Sequence, residues 1–162
     1  MSLSRDRWTL GRREFLRSAT GAGTAMAFAS TGFGVDKPGE QVEPINVALI
    51  GVGEQGKVLL EAARQIPGVR FQAVCDIWET QSLMPASRLV KRYGHPGTPY
   101  VDCGEMLAKE KGLQAAIVAT PDFWHARHAV ACLEAGLHVY CEKAMSNTVE
   151  GARKMVEAAR RT

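Results

Sequence analysis

Gly51, Gly53 and Gly56 fall as G-x-G-x-x-G directly after the apolar run Val47-Ala48-Leu49-Ile50. A helical pattern begins within the same turn. This spacing is the fingerprint of a dinucleotide-binding turn. Gly51 permits a tight exit from a strand. Gly53 removes the Cβ that would keep a pyrophosphate away from the backbone. Gly56 lets a helix pack close to the strand. Glu54 and Gln55, between the last two glycines, open that helix and are placed at the cofactor with them. The unpaired N–H groups of a helix start, together with the helix dipole, attract phosphate. Asp76 stands twenty positions after Gly56, at the distance where an acid accepts hydrogen bonds from the adenosine ribose. A carboxylate there repels a 2′-phosphate, so NAD is expected over NADP. Ile77 and Trp78, not an arginine, follow it.

Elements able to position these residues alternate along the chain. Ile45–Ile50 reads as a buried parallel strand. Residues 54–66 read as a helix whose apolar face is Val58, Leu59, Ala62, Ala63 and Ile66, stopped by Pro67-Gly68. Val69–Cys75 is a second strand. Residues 79–93 are expected to be helical, with Pro85 near the first turn. Tyr100-Val101 forms a short third strand after a loop in which His95 is read as solvent-exposed. A short helix over 104–111, a buried strand over 114–120 and a helix to Glu134 follow, with Asp122 as that helix's N-cap and Gly136 ending it. Leu137–Cys141 is the fifth strand. Asn147 with Glu150 three positions on forms a capping-box variant for a last helix to about Arg160. The fold class is therefore α/β, a Rossmann-like doubly wound parallel sheet of about five strands. Ligand binding is expected where the first and fourth strands end.

Charge and cysteine usage narrow the function. The formal charge of +3 is carried by the first seventeen residues, with five arginines against Asp6 and Glu14, and the remainder sums to zero. Nothing in that distribution calls for a nucleic-acid partner. Cys75, Cys103, Cys132 and Cys141 include no C-x-x-C pair, so no metal site is expected. Arg12-Arg13-Glu14-Phe15-Leu16 precedes a weakly apolar stretch too short to span a bilayer, and Ala27-Phe28-Ala29 has the form of a signal-peptidase site. Residues 1–29 thus resemble a twin-arginine signal peptide. Residues 30–44, rich in glycine and proline, read as a linker, and 45–162 as the folded domain. Passage through the twin-arginine export machinery to the periplasm is the expected route. Proteins using that route cross folded, so a cofactor made in the cytoplasm would be loaded first.

Two further stretches make the reading specific. One is Ala119-Thr120-Pro121-Asp122-Phe123-Trp124-His125; the other runs from Cys132 through Gly136 and His138 to Glu142-Lys143. With the glycine turn and Asp76, these resemble the N-terminal domain of the Gfo/Idh/MocA oxidoreductases. The resemblance implies that Thr120 and Pro121 line the nicotinamide half of the cofactor and that His125 faces it from a helix start. It implies that Glu142 contacts the nicotinamide ribose. Lys143 would reach the nicotinamide and the substrate hydroxyl as the catalytic residue, where an ammonium stabilises developing alkoxide charge or relays a proton. Ala144 departs from the family's E-K-P motif. Alanine leaves φ free and makes a cis bond cost about 2.5–4 kcal/mol.

The resemblance further implies that a strand and a larger α/β substrate domain follow the last helix. The chain as it stands is expected to bind NAD without turning over a sugar or cyclitol, and to present an exposed sheet edge. The functions in play are the cofactor half of an exported oxidoreductase acting on sugar-like hydroxyls, an NAD-dependent glycosidase of the same family, and a non-catalytic nucleotide-binding remnant. A methyltransferase also pairs a glycine turn with an acid, but Glu142-Lys143 and Thr120-Pro121 argue against it.

Overall fold

The computed structural model describes residues 43–162. The expected signal peptide, and the linker up to residue 42, lie outside the described residues. The order is β1 (Ile45–Ile50), α1 (Glu54–Ala63), β2 (Val69–Cys75), a π-helical turn (Glu79–Leu83), α2 (Met84–Arg92), β3 (Thr98–Tyr100), α3 (Cys103–Lys109), β4 (Ala115–Val118), α4 (Asp122–Glu134), β5 (His138–Cys141) and α5 (Val149–Arg161). The five strands form one sheet in the order β3-β2-β1-β4-β5. Every pairing is parallel. The order reverses between β1 and β4, which makes the ends of those strands the switch point.

Both sheet faces are covered, and the strand residues divide between them. Ala48, Ile50, Ala73, Cys75 and Val118 pack with Met106 of α3 and Cys132 of α4. Val47, Leu49, Phe71 and Val74 pack with Leu60 of α1 and with Leu83 and Val90. Strict alternation would put Phe71 and Ala73 on one face. They lie on opposite faces because the β1–β2 register slips between Val47 and Ala48, so Val47 opposes Phe71 and Ala48 opposes Ala73. The extra residue, Gln72, bends β2 as a bulge does.

Several local expectations are corrected. α1 ends at Ala63 rather than Ile66, and its buried residues are Gly56 and Leu60. Val58 and Ile66, assigned to the apolar face, are exposed. The stretch over 79–93 opens as a π-helical turn in which Ser82 N and Leu83 N both donate to Trp78 O at 3.0 Å. Pro85 stands in the first turn of α2, as expected, where its missing N–H is one that a helix start leaves unpaired. His95 is half-buried: its Nδ1 accepts from Phe71 N at 3.4 Å and its ring meets Phe71 edge-on. Burial, then Arg70, holds its pKa below the usual value. β3 lies at Thr98–Tyr100, and α3 starts at Cys103 because the Asp102 carboxylate accepts from Glu105 N.

The last helix is capped one residue later than the capping-box pattern indicates. Thr148, not Asn147, is the N-cap, and its Oγ1 accepts from Gly151 N at 3.0 Å. Thr148→Ala is expected to cost about 1 kcal/mol, the usual worth of such a cap. Asn147→Ala is expected to cost next to nothing. Urea midpoints of the two variants check this, and equal losses would contradict it.

Burial also sets a pH window. Cys75, 4 % exposed at the end of β2, has its thiol pushed from 9.0 to about 12, by burial first and then by Cys103, Asp102 and Asp76. Tyr100 is pushed from 10.0 to about 12 by burial and its hydrogen bond to Glu110. A raised folded pKa favours folding fully below the unfolded value and loses that share as pH rises towards the folded one. Stability is therefore expected to hold to about pH 9 and to fall between there and pH 12. Denaturant midpoints measured across that range read the effect; a midpoint level through the window would contradict it.

Candidate functional site

The ends of β1, β2 and β4 converge on the glycine turn. Gly51 has φ +86°, the left-handed region, and a Cβ there would stand 2.6 Å from Thr120 N and 2.7 Å from Ala119 O. Its N–H donates to Cys75 O at 2.8 Å. Only glycine fits on both counts. At Gly56 a Cβ would stand 2.0 Å from Gly51 O, so α1 lies directly against the turn. Gly53 differs from both. It is the N-cap of α1 with an ordinary φ of −67°, and a Cβ there would meet nothing within 4 Å. No side chain caps the helix, leaving the N–H groups of its first turn without a side-chain acceptor. Packing among the described residues gives no reason for glycine at 53; an approaching ligand does. The cradle fits a pyrophosphate in shape and in polarity.

Asp76 follows β2 and is half-buried. Its Oδ2 accepts from Val52 N, inside the glycine turn, and its Oδ1 accepts from Trp78 N, both at 2.8 Å. The acid thus reaches the turn, but its first partners are backbone amides. Each carboxylate oxygen keeps further lone-pair capacity for a ribose hydroxyl.

Beyond β4 the expected residues take different directions. Thr120 is half-buried; Pro121 and Asp122 are exposed. Pro121 rather than Asp122 is the N-cap of α4, and its carbonyl accepts from Trp124 N at 2.9 Å. Asp122 instead lies in the first turn, where its charge still complements the helix dipole. His125 stands in the first turns of α4. It is 1 % exposed, with Nε2 at 2.6 Å from Thr120 O and Nδ1 at 2.7 Å from Ala144 O. The Lys143–Ala144 peptide is cis.

Glu142 is 8 % exposed, and its N–H donates to Val118 O, tying the end of β5 to β4. Its Oε1 accepts from Gln55 Nε2 at 2.9 Å and from Tyr140 OH at 3.4 Å; its Oε2 accepts from Lys143 N at 3.0 Å. The Gln55 bond, then the Lys143 amide, holds its carboxyl below the usual range. Glu142 therefore stays an anion. Gln55 joins the glycine turn to the strand end carrying Lys143. Lys143 itself is exposed. Glu54 is exposed and pairs with Lys57 at 3.0 Å, so no contact joins it to the other site residues.

Spacing along the chain does not reveal the partners of Glu142 or of Thr120. Thr120 Oγ1 lies 3.3 Å from His128 Nδ1, and the His128 ring stacks on Trp124 at a centroid distance of 5.6 Å. His128 sits at the i+3 and i+4 spacing from His125 and Trp124 that puts helix neighbours side by side, which was the available signal. A groove of about 500 Å³ lies along β5, lined by Tyr140, Glu142, Lys143, Met145 and Met155 among others. It lies at the sheet edge rather than at the glycine turn.

A family model described as an oxidoreductase family with an NAD-binding Rossmann fold, Gfo/Idh/MocA, matches residues 45–162. A glycosyl hydrolase family 109 protein of Saccharopolyspora erythraea is 33% identical over 170 residues, covering 93% of this chain and 37% of the relative. The chain thus spans little more than a third of the length of that relative. Among solved structures, the WlbA dehydrogenase of Bordetella pertussis, in complex with NADH and UDP-GlcNAcA, superposes with a TM-score of 0.66 at 27% identity, over 74% of this chain and 35% of that one. The myo-inositol 2-dehydrogenase of Lactobacillus plantarum shares the fold at a TM-score of 0.65 and 24% identity, over 74% and 34% of the two chains. The glycine turn, the strand order and the matched span agree: the chain belongs to the Gfo/Idh/MocA oxidoreductases and carries their NAD-binding Rossmann domain.

Proposed function

We propose that this domain holds NAD for an exported enzyme that acts at a hydroxyl-bearing carbon of a sugar or cyclitol. The observation that carries the reading is Gly53, a helix N-cap with open space where a side chain would stand. In this reading the turn and the first amides of α1 bind the pyrophosphate, and Asp76 takes the adenosine ribose. Thr120 and Pro121 flank the nicotinamide half. Bound NAD supplies the hydride acceptor. Glu142, ionised and anchored by Gln55, orients the segment before Lys143. The Lys143 ammonium, free on the surface side, stabilises an alkoxide or relays a proton at the substrate oxygen. Substrate contacts are assigned in this reading to the two thirds of the relatives' length that this chain does not span.

Export is part of the proposal. Similarity to the Saccharopolyspora protein covers 93% of the chain, whereas the family match begins at residue 45. The shared sequence therefore extends into the tail that carries Arg12-Arg13, which supports a functional address rather than an incidental extension. A fusion of residues 1–44 to a reporter that works only outside the cytoplasm reads this directly, with Arg12→Lys/Arg13→Lys as the control.

A second reading, a glycosidase that oxidises its sugar transiently and returns the hydride, draws support from the glycosyl hydrolase family 109 names of several relatives. It suits a compartment with no NAD supply. The domain reading is tested by titrating the purified chain with NAD, NADP and S-adenosylmethionine while following tryptophan fluorescence. NAD is expected to bind most tightly; binding of S-adenosylmethionine without NAD would overturn it. Joined to a full-length substrate domain, aglycone release without accumulating NADH selects the glycosidase, and net NADH formation selects the dehydrogenase.

A further inference from the structure

Carbonyl oxygens accept hydrogen bonds and have none to give. His125 faces two of them, Thr120 O at 2.6 Å from Nε2 and Ala144 O at 2.7 Å from Nδ1. A neutral imidazole has one N–H and one bare lone pair. It would satisfy one carbonyl and set its lone pair against the oxygen of the other. Turning the ring over replaces both nitrogens by carbons and forfeits both bonds. At 1 % exposure the ring has no ready access to solvent as an alternative partner. Both contacts are as short as bonds to a charged donor. Only a ring with a proton on each nitrogen fills both.

We propose that His125 is a positioning residue that bridges the Thr120 and Ala144 carbonyls as an imidazolium, and so fixes the Lys143 segment against the turn after β4. The bridge spans nineteen residues to Ala144 and five to Thr120. It joins the two segments assigned to the nicotinamide end, so its consequence for binding rests on the function proposed above. The charge is opposed by the site's place in the first turns of α4, where the helix dipole disfavours a cation. Two charge-assisted bonds compensate. His128, on the same helix, is held below its usual value by burial first and then by Arg127 and His125, with Asp102 acting the other way. It therefore remains neutral, and one charge rather than two is buried at this place. His128 meets Thr120 Oγ1 while His125 meets Thr120 O, so Thr120 is held at both ends.

The test begins with the wild-type chain and needs no cofactor. Two-bond 1H–15N correlation of ring-labelled histidine at neutral pH is expected to show both His125 nitrogens protonated. One bare ring nitrogen overturns the proposal. The second measurement compares NAD with ADP-ribose, which lacks the nicotinamide. His125→Leu is expected to keep ADP-ribose affinity and to lose about tenfold or more of NAD affinity. His125→Gln, with one amide donor group, is expected to recover part of it. Equal losses for both ligands, or none, overturn the positioning role. If His125→Leu fails to fold, His125→Gln and the wild-type ring signals decide. A wild-type chain that binds neither ligand defeats the proposed function, while the ring signals still decide the state of His125.

Discussion

Gly53→Val leaves the chain folded and removes most of its NAD affinity. The position has φ −67°, which valine adopts freely, and open space where the new side chain would go. Gly53 is the N-cap of α1, where valine is a poorer cap than glycine, so a stability loss of about 1 kcal/mol is expected, too little to unfold the chain. The branched side chain occupies the place where the pyrophosphate meets the backbone. A loss of at least about tenfold in NAD affinity is expected, which corresponds to about 1.4 kcal/mol. Gly56→Ala makes the contrast. Its methyl would stand 2.0 Å from Gly51 O, a backbone atom that cannot swing aside, so α1 must lift from the turn. Overpacking of this kind costs about 1–3 kcal/mol or more. Circular-dichroism melts separate the two variants, and calorimetric titration with NAD measures the first. Gly53→Val binding NAD as tightly as the wild type would remove the turn as a pyrophosphate cradle.

Asp76→Ala is expected to act on both folding and cofactor choice. Two backbone amides, of Val52 and Trp78, lose their acceptor. A polar group left unpaired costs about 1–3 kcal/mol where it is buried; half-burial of Asp76 places the expected loss towards the lower end. NAD affinity falls because the turn loses its tie to β2 and the ribose loses its acceptor. NADP affinity falls less, because the charge that repels a 2′-phosphate is gone. The NADP-to-NAD affinity ratio is expected to rise by about tenfold, the size of one lost charge interaction near the surface. Asp76→Asn separates the effects, since it keeps an acceptor oxygen and removes the charge. A ratio that stays constant across all three proteins would show that Asp76 does not face the ribose.

Much of the architecture is legible along the chain because parallel strands buried on both faces read as short apolar runs. Val47–Ile50 and Ala115–Val118 are of this kind, and Pro and Gly punctuate what lies between them. Capping and facing were less legible. Asn147 and Thr148 are both good caps, and only the geometry of the chain entering α5 decides that Thr148 Oγ1 meets Gly151 N. The buried face of α1 is hard to see in the sequence because Gly56, which has no side chain, is the residue that presses on the turn. The crossing of Phe71 and Ala73 to opposite faces depends on a register slip against β1, which no property of β2 alone encodes.

The sequence by itself determined the class of this protein. G-x-G-x-x-G after an apolar strand, an acid twenty residues on, and the Thr120-Pro121 and Glu142-Lys143 motifs identify a dinucleotide fold, because each rests on local backbone chemistry that spacing alone conveys. Only the tertiary structure decided how these residues serve one another. Glu142 and Gln55 are 87 residues apart and share a hydrogen bond. Asp76 turns first to the amides of Val52 and Trp78. His125 sets its two ring nitrogens against the carbonyls of Thr120 and Ala144. Buried polar groups take whichever partners the packed chain offers, and that choice is made only where distant strand ends meet.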